Sequence, residues 1–177
     1  MPSLCQIESQ GSEADRGTRT SNSDKGVAKR CVIVADDHQE VLRTAVAALE
    51  DEFQIIAQAT NGADVLKLVP VLRPEALVLD ISMPIVDGME TALELKTTGS
   101  STNIIFLTVH EDPEFLDAAV SAGAQAYVLK GRLASDLVRA VRSALDGRFF
   151  VSPQCKPPDE SGSSSNSSAV VWPSRVR

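Results

Sequence analysis

The stretch Cys31-Val-Ile-Val-Ala-Asp-Asp-His38 runs five apolar residues directly into two carboxylates. A continuous rather than alternating apolar run reads as a strand buried on both faces, the habit of parallel sheets. Four similar runs follow, at Phe53–Ala59, Glu75–Leu79, Asn103–Leu107 and Gln125–Leu129. The segments between them carry helical spacing and helix-end signals. Leu42, Ala45, Val46 and Leu49 share one face of the first. Asn61 is placed to cap the second, and Arg73-Pro74 to end it, because the residue before proline is pushed out of the right-handed helical region. Asp87 is placed to cap the third, which carries Met89, Ala92 and Leu93. Asp112-Pro113 opens the fourth and Gly123 stops it. Ser135 is expected to cap the fifth, where Leu137, Val141, Ala144 and Leu145 form the apolar stripe ahead of Gly147.

Strand followed by helix, five times over, implies right-handed crossovers with helices on both faces of the sheet. The expected fold is α/β: a doubly wound, five-stranded parallel sheet of (βα)5 flavodoxin-like topology, with strand order 2-1-3-4-5.

Outward from this core the chain turns polar. Of 177 residues, the segment 30–152 is read as the domain, 1–29 as a disordered tail, and 153–177 as a disordered Ser/Pro-rich tail. The second tail has seven Ser and four Pro, too little apolar surface to order itself. Trp172 is its one apolar feature with a chance of docking. Segment 30–152 holds 10 basic and 18 acidic residues, a net −8, which disfavours direct contact with a phosphate-rich polymer. Three cysteines, two of them in the polar tails, give no readable disulfide framework. No apolar stretch approaches a membrane span, and residues 1–29 lack a secretory pattern. A soluble, cytoplasmic protein is the expectation.

Ligands of open parallel sheets bind beyond the carboxyl ends of the strands, near the point where strand order reverses. At those ends stand Asp36 and Asp37, Asp80, Thr108 and Lys130. Each alone is commonly a turn, cap or solvated residue; their joint placement from four strands is harder to explain by structure alone. Three convergent carboxylates repel one another and call for a cation, and hard oxygen donors select Mg²⁺. With only His38 and His110 and no paired cysteines, a zinc site is poorly supported, and His38 is read as shaping the loop. A carboxylate beside a metal, an ammonium and a hydroxyl can attack phosphorus. Asp80, alone on the central strand, is the nucleophile candidate.

The runs Val32-Ile-Val-Ala-Asp-Asp-His38, Leu79-Asp-Ile-Ser-Met-Pro84 with Asp87-Gly88, Thr108-Val-His-Glu111 and Ala122-Gly-Ala-Gln-Ala-Tyr-Val-Leu-Lys130 together resemble the receiver domain of two-component response regulators. The closing Gly147-Arg-Phe-Phe-Val-Ser-Pro153 is similar to the subfamily that usually carries a helix-turn-helix DNA-binding domain. The resemblance covers about residues 31–153. It implies that Asp80 accepts a phosphoryl group from a histidine kinase or phosphotransfer protein, with Mg²⁺ on Asp37, on Asp36 through water or geometry, on Asp80 and on the Ser82 carbonyl. It implies that Thr108 and Lys130 meet the phosphoryl group and that Tyr127 reorients with Thr108. Ser82 and His110 would tune its lifetime. A downstream protein target and pairing of two copies through the first and fifth, or fourth and fifth, helices are further implications.

Two departures stand out. Ala126 occupies a position often held by Gly, and the 25 residues after Ser152 fall short of the roughly 60 that a DNA-binding domain needs. DNA-directed output is therefore not carried over from the resemblance. Three other readings compete with the receiver. A flavin protein of this topology needs a phosphate loop where Asp36-Asp37-His38 stands. A haloacid-dehalogenase-type phosphatase needs Asp-x-Asp where Asp80-Ile81-Ser82 stands. A binding module that is never phosphorylated would keep the fold, and phosphotransfer assays separate it from a receiver.

Overall fold

A computed structural model describes residues 28–155. The five apolar runs become strands: β1 (Cys31–Ala35), β2 (Gln54–Ala59), β3 (Ala76–Asp80), β4 (Asn103–Thr108) and β5 (Ala124–Leu129). Between and after them lie α1 (Gln39–Leu49), α2 (Gly62–Leu72), α3 (Gly88–Thr97), α4 (Pro113–Ser121) and α5 (Leu133–Leu145). A sixth strand, β6 (Phe150–Val151), completes an all-parallel sheet of order β2-β1-β3-β4-β5-β6. Two residues are too few to show a period, which is why β6 escapes a pattern reading.

Every residue of β1, β3 and β4 is buried. Alternate side chains feed two apolar layers, as pleating requires. Ile33, Leu77, Leu79, Phe106 and Tyr127 pack with residues of α2, α3 and α4 on one face. Val32, Val34, Val78, Ile105, Leu107 and Val128 pack with residues of α1 and α5 on the other. By contrast β2, at the sheet edge, is exposed at two of its positions and only partly buried at three. Its run is apolar without being buried on both faces.

Several helix ends follow the sequence. Asn61 and Asp87 accept hydrogen bonds from the backbone N–H of Asp64 and Glu90, and α4 begins at Pro113 after Asp112. Helix α2 ends at Leu72, with Arg73 in the left-handed region at φ 47, outside the right-handed helix ahead of Pro74. One end departs from the expectation. Helix α5 starts at Leu133 behind a 3-10 turn, Lys130–Arg132, and Ser135 lies inside its first turn, donating to the Arg132 carbonyl and to Asp136. The expected Ser135 cap is therefore displaced. The tight turn after Lys130 uses the residues that a direct strand-to-helix connection would have left for a cap.

A glycine sets the loop beyond β3. A Cβ on Gly88 would stand 2.0 Å from the Asp80 carbonyl oxygen, so α3 can start this close to the strand end only without a side chain there. Cys31 is disulfide-bonded, against the absence of disulfides expected from the sequence, whereas Cys155 is free and 3% exposed in the core. The segments read as tails, including Trp172, lie almost wholly outside the described residues.

Candidate functional site

Pairing register brings the strand ends together. Ala35 aligns with Leu79, Asp80 with Leu107, and Thr108 with Leu129, so Asp36, Asp80, Thr108 and Lys130 emerge side by side where strand order reverses. Asp36 is fully buried. Its backbone N–H donates to the Ala59 carbonyl at 3.1 Å, and its Oδ1 accepts from the His38 backbone N–H at 2.9 Å. Asp80 is 1% exposed. The Lys130 Nζ stands 2.8 Å from Asp36 Oδ2 and 2.8 Å from Asp80 Oδ2, one ammonium shared by two buried carboxylates.

Asp37 lies at the mouth, with the His38 Nδ1 2.7 Å from its Oδ1. Ligating atoms of Asp36, Asp37, His38 and Asp80 all fall within 4.8 Å of one another. Among the described residues, the buried oxygens Asp36 Oδ2 and Asp80 Oδ2 meet the Lys130 ammonium, and Asp37 Oδ1 meets the His38 ring. Three carboxylates gathered around one ammonium leave negative charge that burial makes costly, and a hard divalent cation is the species this donor set suits. The acidic residues therefore fit Mg²⁺. His38 joins the cluster more closely than its reading as a loop residue suggested. Burial pushes the Asp80 carboxyl up, with the Asp36 charge adding to it and Lys130 and the Ser82 backbone N–H opposing it. Burial pulls the Lys130 ammonium down, but the two carboxylates beside it outweigh that, and its affinity for the proton rises.

Thr108 and Tyr127 meet through one backbone unit. The Thr108 Oγ1 accepts from the His110 N–H at 3.1 Å, and the buried Tyr127 hydroxyl donates to the His110 carbonyl at 3.0 Å. Burial pushes the Tyr127 phenol up to about 12. The His110 ring stacks on Phe115 with centroids 3.9 Å apart, and its Nε2 lies 3.5 Å from Ser82 Oγ. Ser82 and His110 thus face each other across the mouth of the acidic pocket. The Phe115 stack was not legible in the sequence, because it depends on the angle at which α4 enters. Beside Thr108 a cavity of about 200 Å³ is walled by Val109, Glu111, Leu129, Arg132 and Gln154. A larger cavity of about 600 Å³, between Leu66 and Val69 of α2 and Leu95 of α3, lies toward the amino ends of the strands, away from the acids.

With this geometry in place, likeness to known proteins is informative. The response regulator receiver domain family matches residues 32–142. The chain belongs to that family. It is 33% identical over 125 residues to the transcriptional regulatory protein DesR of Bacillus subtilis, covering 70% of this chain and 62% of that protein. It is 32% identical over 126 residues to the response regulator GacA of Pseudomonas aeruginosa, covering 70% of this chain and 58% of GacA. The chain thus spans about three fifths of the length of these relatives. A LuxR-family response regulator from Aurantimonas sp. SI85-9A1 has a similar structure, with TM-score 0.69, 26% identity, and coverage of 72% of this chain and 92% of that one. The signal receiver domain of NarL from Mycobacterium tuberculosis gives TM-score 0.65 at 29% identity, covering 68% and 98%. The receiver fold, with its sixth strand added at the β5 edge, is a response regulator receiver domain of two-component signalling.

Proposed function

We propose that this receiver takes a phosphoryl group from a histidine kinase or phosphotransfer protein onto Asp80. The observation that carries the reading is a nearly fully buried aspartate that shares one lysine with a second buried carboxylate, two buried negative charges to one cation. Asp36, Asp37 and Asp80 would hold Mg²⁺, with the Ser82 carbonyl as a further oxygen donor; when bound, the ion neutralises charge on the transferring phosphoryl oxygens. An Asp80 carboxylate oxygen attacks phosphorus in line, the phosphorus–nitrogen bond of the donor breaks, and its electron pair stays on the imidazole nitrogen. Lys130 moves from pairing two carboxylates to pairing one carboxylate and the phosphoryl group. Thr108 gives its hydroxyl proton to a phosphoryl oxygen as a hydrogen bond, and Tyr127, joined to the same His110 peptide, changes place with it. Ser82 and His110 control the approach of the hydrolytic water and so the lifetime of the phosphoryl group. Self-catalysed transfer and hydrolysis make the chain a signalling protein rather than an enzyme acting on others.

Output is proposed to run through a protein target, and through pairing of two copies on α1/α5 or α4/α5 faces, in the cytoplasm. The acidic balance of segment 30–152, net −8 from 10 basic and 18 acidic residues, makes it a poor direct partner for nucleic acid. Among the described residues no helix is long and apolar enough to cross a membrane. The test is intact mass after acetyl phosphate with and without Mg²⁺: one acid-labile phosphate on the native chain and none on Asp80→Asn supports the reading.

A further inference from the structure

The segment after α5 closes on the same switch. Strand β6 pairs Val151 with Tyr127, and the Ser152 N–H donates to the Tyr127 carbonyl at 2.9 Å. The Ser152 hydroxyl accepts from the Leu129 N–H at 3.2 Å and donates to Asp136 Oδ2 of α5 at 2.9 Å. This root is pinned on both sides of Tyr127. Beyond it, Pro153–Cys155 makes one 3-10 turn, closed by the Cys155 N–H on the Ser152 carbonyl at 3.0 Å. Cys155 lies buried in the apolar cluster that contains Tyr127 and Val151. Gln154 lines a cavity together with Thr108, Val109 and Glu111 on one side and Leu129, Gly131 and Arg132 on the other. Glu111 is close enough to Cys155 that its charge, added to burial, raises the thiol's affinity for its proton.

We propose that Pro153–Cys155 is a strap that holds the Thr108–Tyr127 switch in the arrangement seen here and undocks when Asp80 is phosphorylated. The inference rests on the phosphoacceptor reading and adds to it a device of regulation within the chain. Its root and its tip are held differently. The root has three hydrogen bonds, whereas among the described residues neither Gln154 nor Cys155 makes a side-chain hydrogen bond, so the tip depends on the fit of one small side chain and one turn. A grip that small barely exceeds the cost of ordering the three residues, and small changes in its walls shift it. Those walls belong to the switch. A phosphoryl group on Asp80 offers the Thr108 hydroxyl a charged acceptor, and His110 and Tyr127 share the bond network that Thr108 leaves. Val109 and Glu111 flank His110 in sequence, so the cavity wall against Gln154 moves with it, and Cys155, next in the chain and packed in the cluster with Tyr127, follows. The strap then opens about its pinned Ser152.

Accessibility of the Cys155 thiol reads this directly. The full chain is given acetyl phosphate and Mg²⁺, pulsed with N-ethylmaleimide, and split: intact mass gives phosphate uptake, and peptide mass spectrometry gives alkylation at Cys155 separately from Cys5 and Cys31. Alkylation of Cys155 is expected to be about ten-fold faster on the phosphorylated chain, and unchanged in Asp80→Asn treated identically. A chain that is fully phosphorylated with Cys155 still protected overturns the strap and leaves the Asp80 reading standing. A chain that takes up no phosphate overturns both.

Discussion

Two buried acidic centres in this molecule are built in opposite ways. At Asp136, in the first turns of α5, the carboxylate is fully served: Arg132 approaches at 2.8 and 3.3 Å, the Ser135 hydroxyl at 2.9 Å and the Ser152 hydroxyl at 2.9 Å. At the carboxyl rim of the sheet, Asp36 and Asp80 share one ammonium, two buried carboxylates to one cation. The first centre does what stability asks of a buried charge. The second gathers more negative charge than its one lysine balances, which is where a divalent cation would supply charge. Both are equally buried, so burial does not distinguish the two centres; the balance of charge does.

The contrast breaks most visibly at its single cation. Lys130→Met leaves two buried carboxylates uncompensated and should cost about 3 kcal/mol or more. Because a bound cation replaces part of the missing charge, millimolar Mg²⁺ should restore more stability to this variant than it adds to the native chain. Urea melts with and without Mg²⁺ measure both effects, and a loss under about 1 kcal/mol would mean that the pocket is better solvated than its burial suggests.

Next in size is Asp136→Ala, which strips four contacts and leaves the Ser152 hydroxyl without its acceptor. A loss of about 2 kcal/mol is expected in denaturant melts, unaffected by Mg²⁺. The two centres also differ in the sign of their pH dependence. Arg132, with help from Ser152 and Ser135, holds the Asp136 carboxyl below the usual range. Its contribution is therefore complete above the ordinary carboxylate pKa of about 4 and is lost as pH falls through the depressed native value. Asp80 runs the other way, since burial raises its carboxyl: the stability linked to its protonated form is present in acid and lost as pH rises through the native value. Melts from pH 3 to 7 in chelator should show Asp136→Ala flattening the acid limb and Asp80→Asn flattening the upper one.

A smaller effect of opposite direction is expected at the mouth. Asp37→Asn removes one repelling charge from a partly exposed position and one oxygen ligand from the cluster. In chelator it should melt about 1 kcal/mol more stable than the native chain, while losing most of the Mg²⁺ response. A variant that is less stable in chelator and keeps the full Mg²⁺ response would make Asp37 a structural residue. The smallest change is Tyr127→Phe, which leaves the His110 carbonyl without its donor at a cost of about 1 kcal/mol, read by thermal melts.

Legibility in the sequence followed the same divide. The strands of the sheet's centre are readable because burial on both faces forces continuous apolar runs, and the site residues are readable because each is the first polar residue past such a run. Asp36, Asp80, Thr108 and Lys130 converge by register alone. The Asp136 centre was invisible because its partner Ser152 lies 16 residues away, and only β6, two residues long, brings it back. His38 was legible only as a loop residue, and Phe115 gave no signal, for a related reason: their places depend on loop and helix-entry angles, not on a period. Strand β2 kept its apolar run at an edge, where the run alone does not report exposure.

The account stands or falls on whether Asp80, the buried acid that shares its lysine with a second carboxylate, is the group that reacts. Intact-mass measurement of the native chain and Asp80→Asn after acetyl phosphate and Mg²⁺ tests this. The expected result is one phosphoryl group on the native chain, lost in acid and reduced by chelator, with none on Asp80→Asn. An Asp80→Asn chain that still gains one acid-labile phosphate would place the chemistry at another residue and contradict the claim.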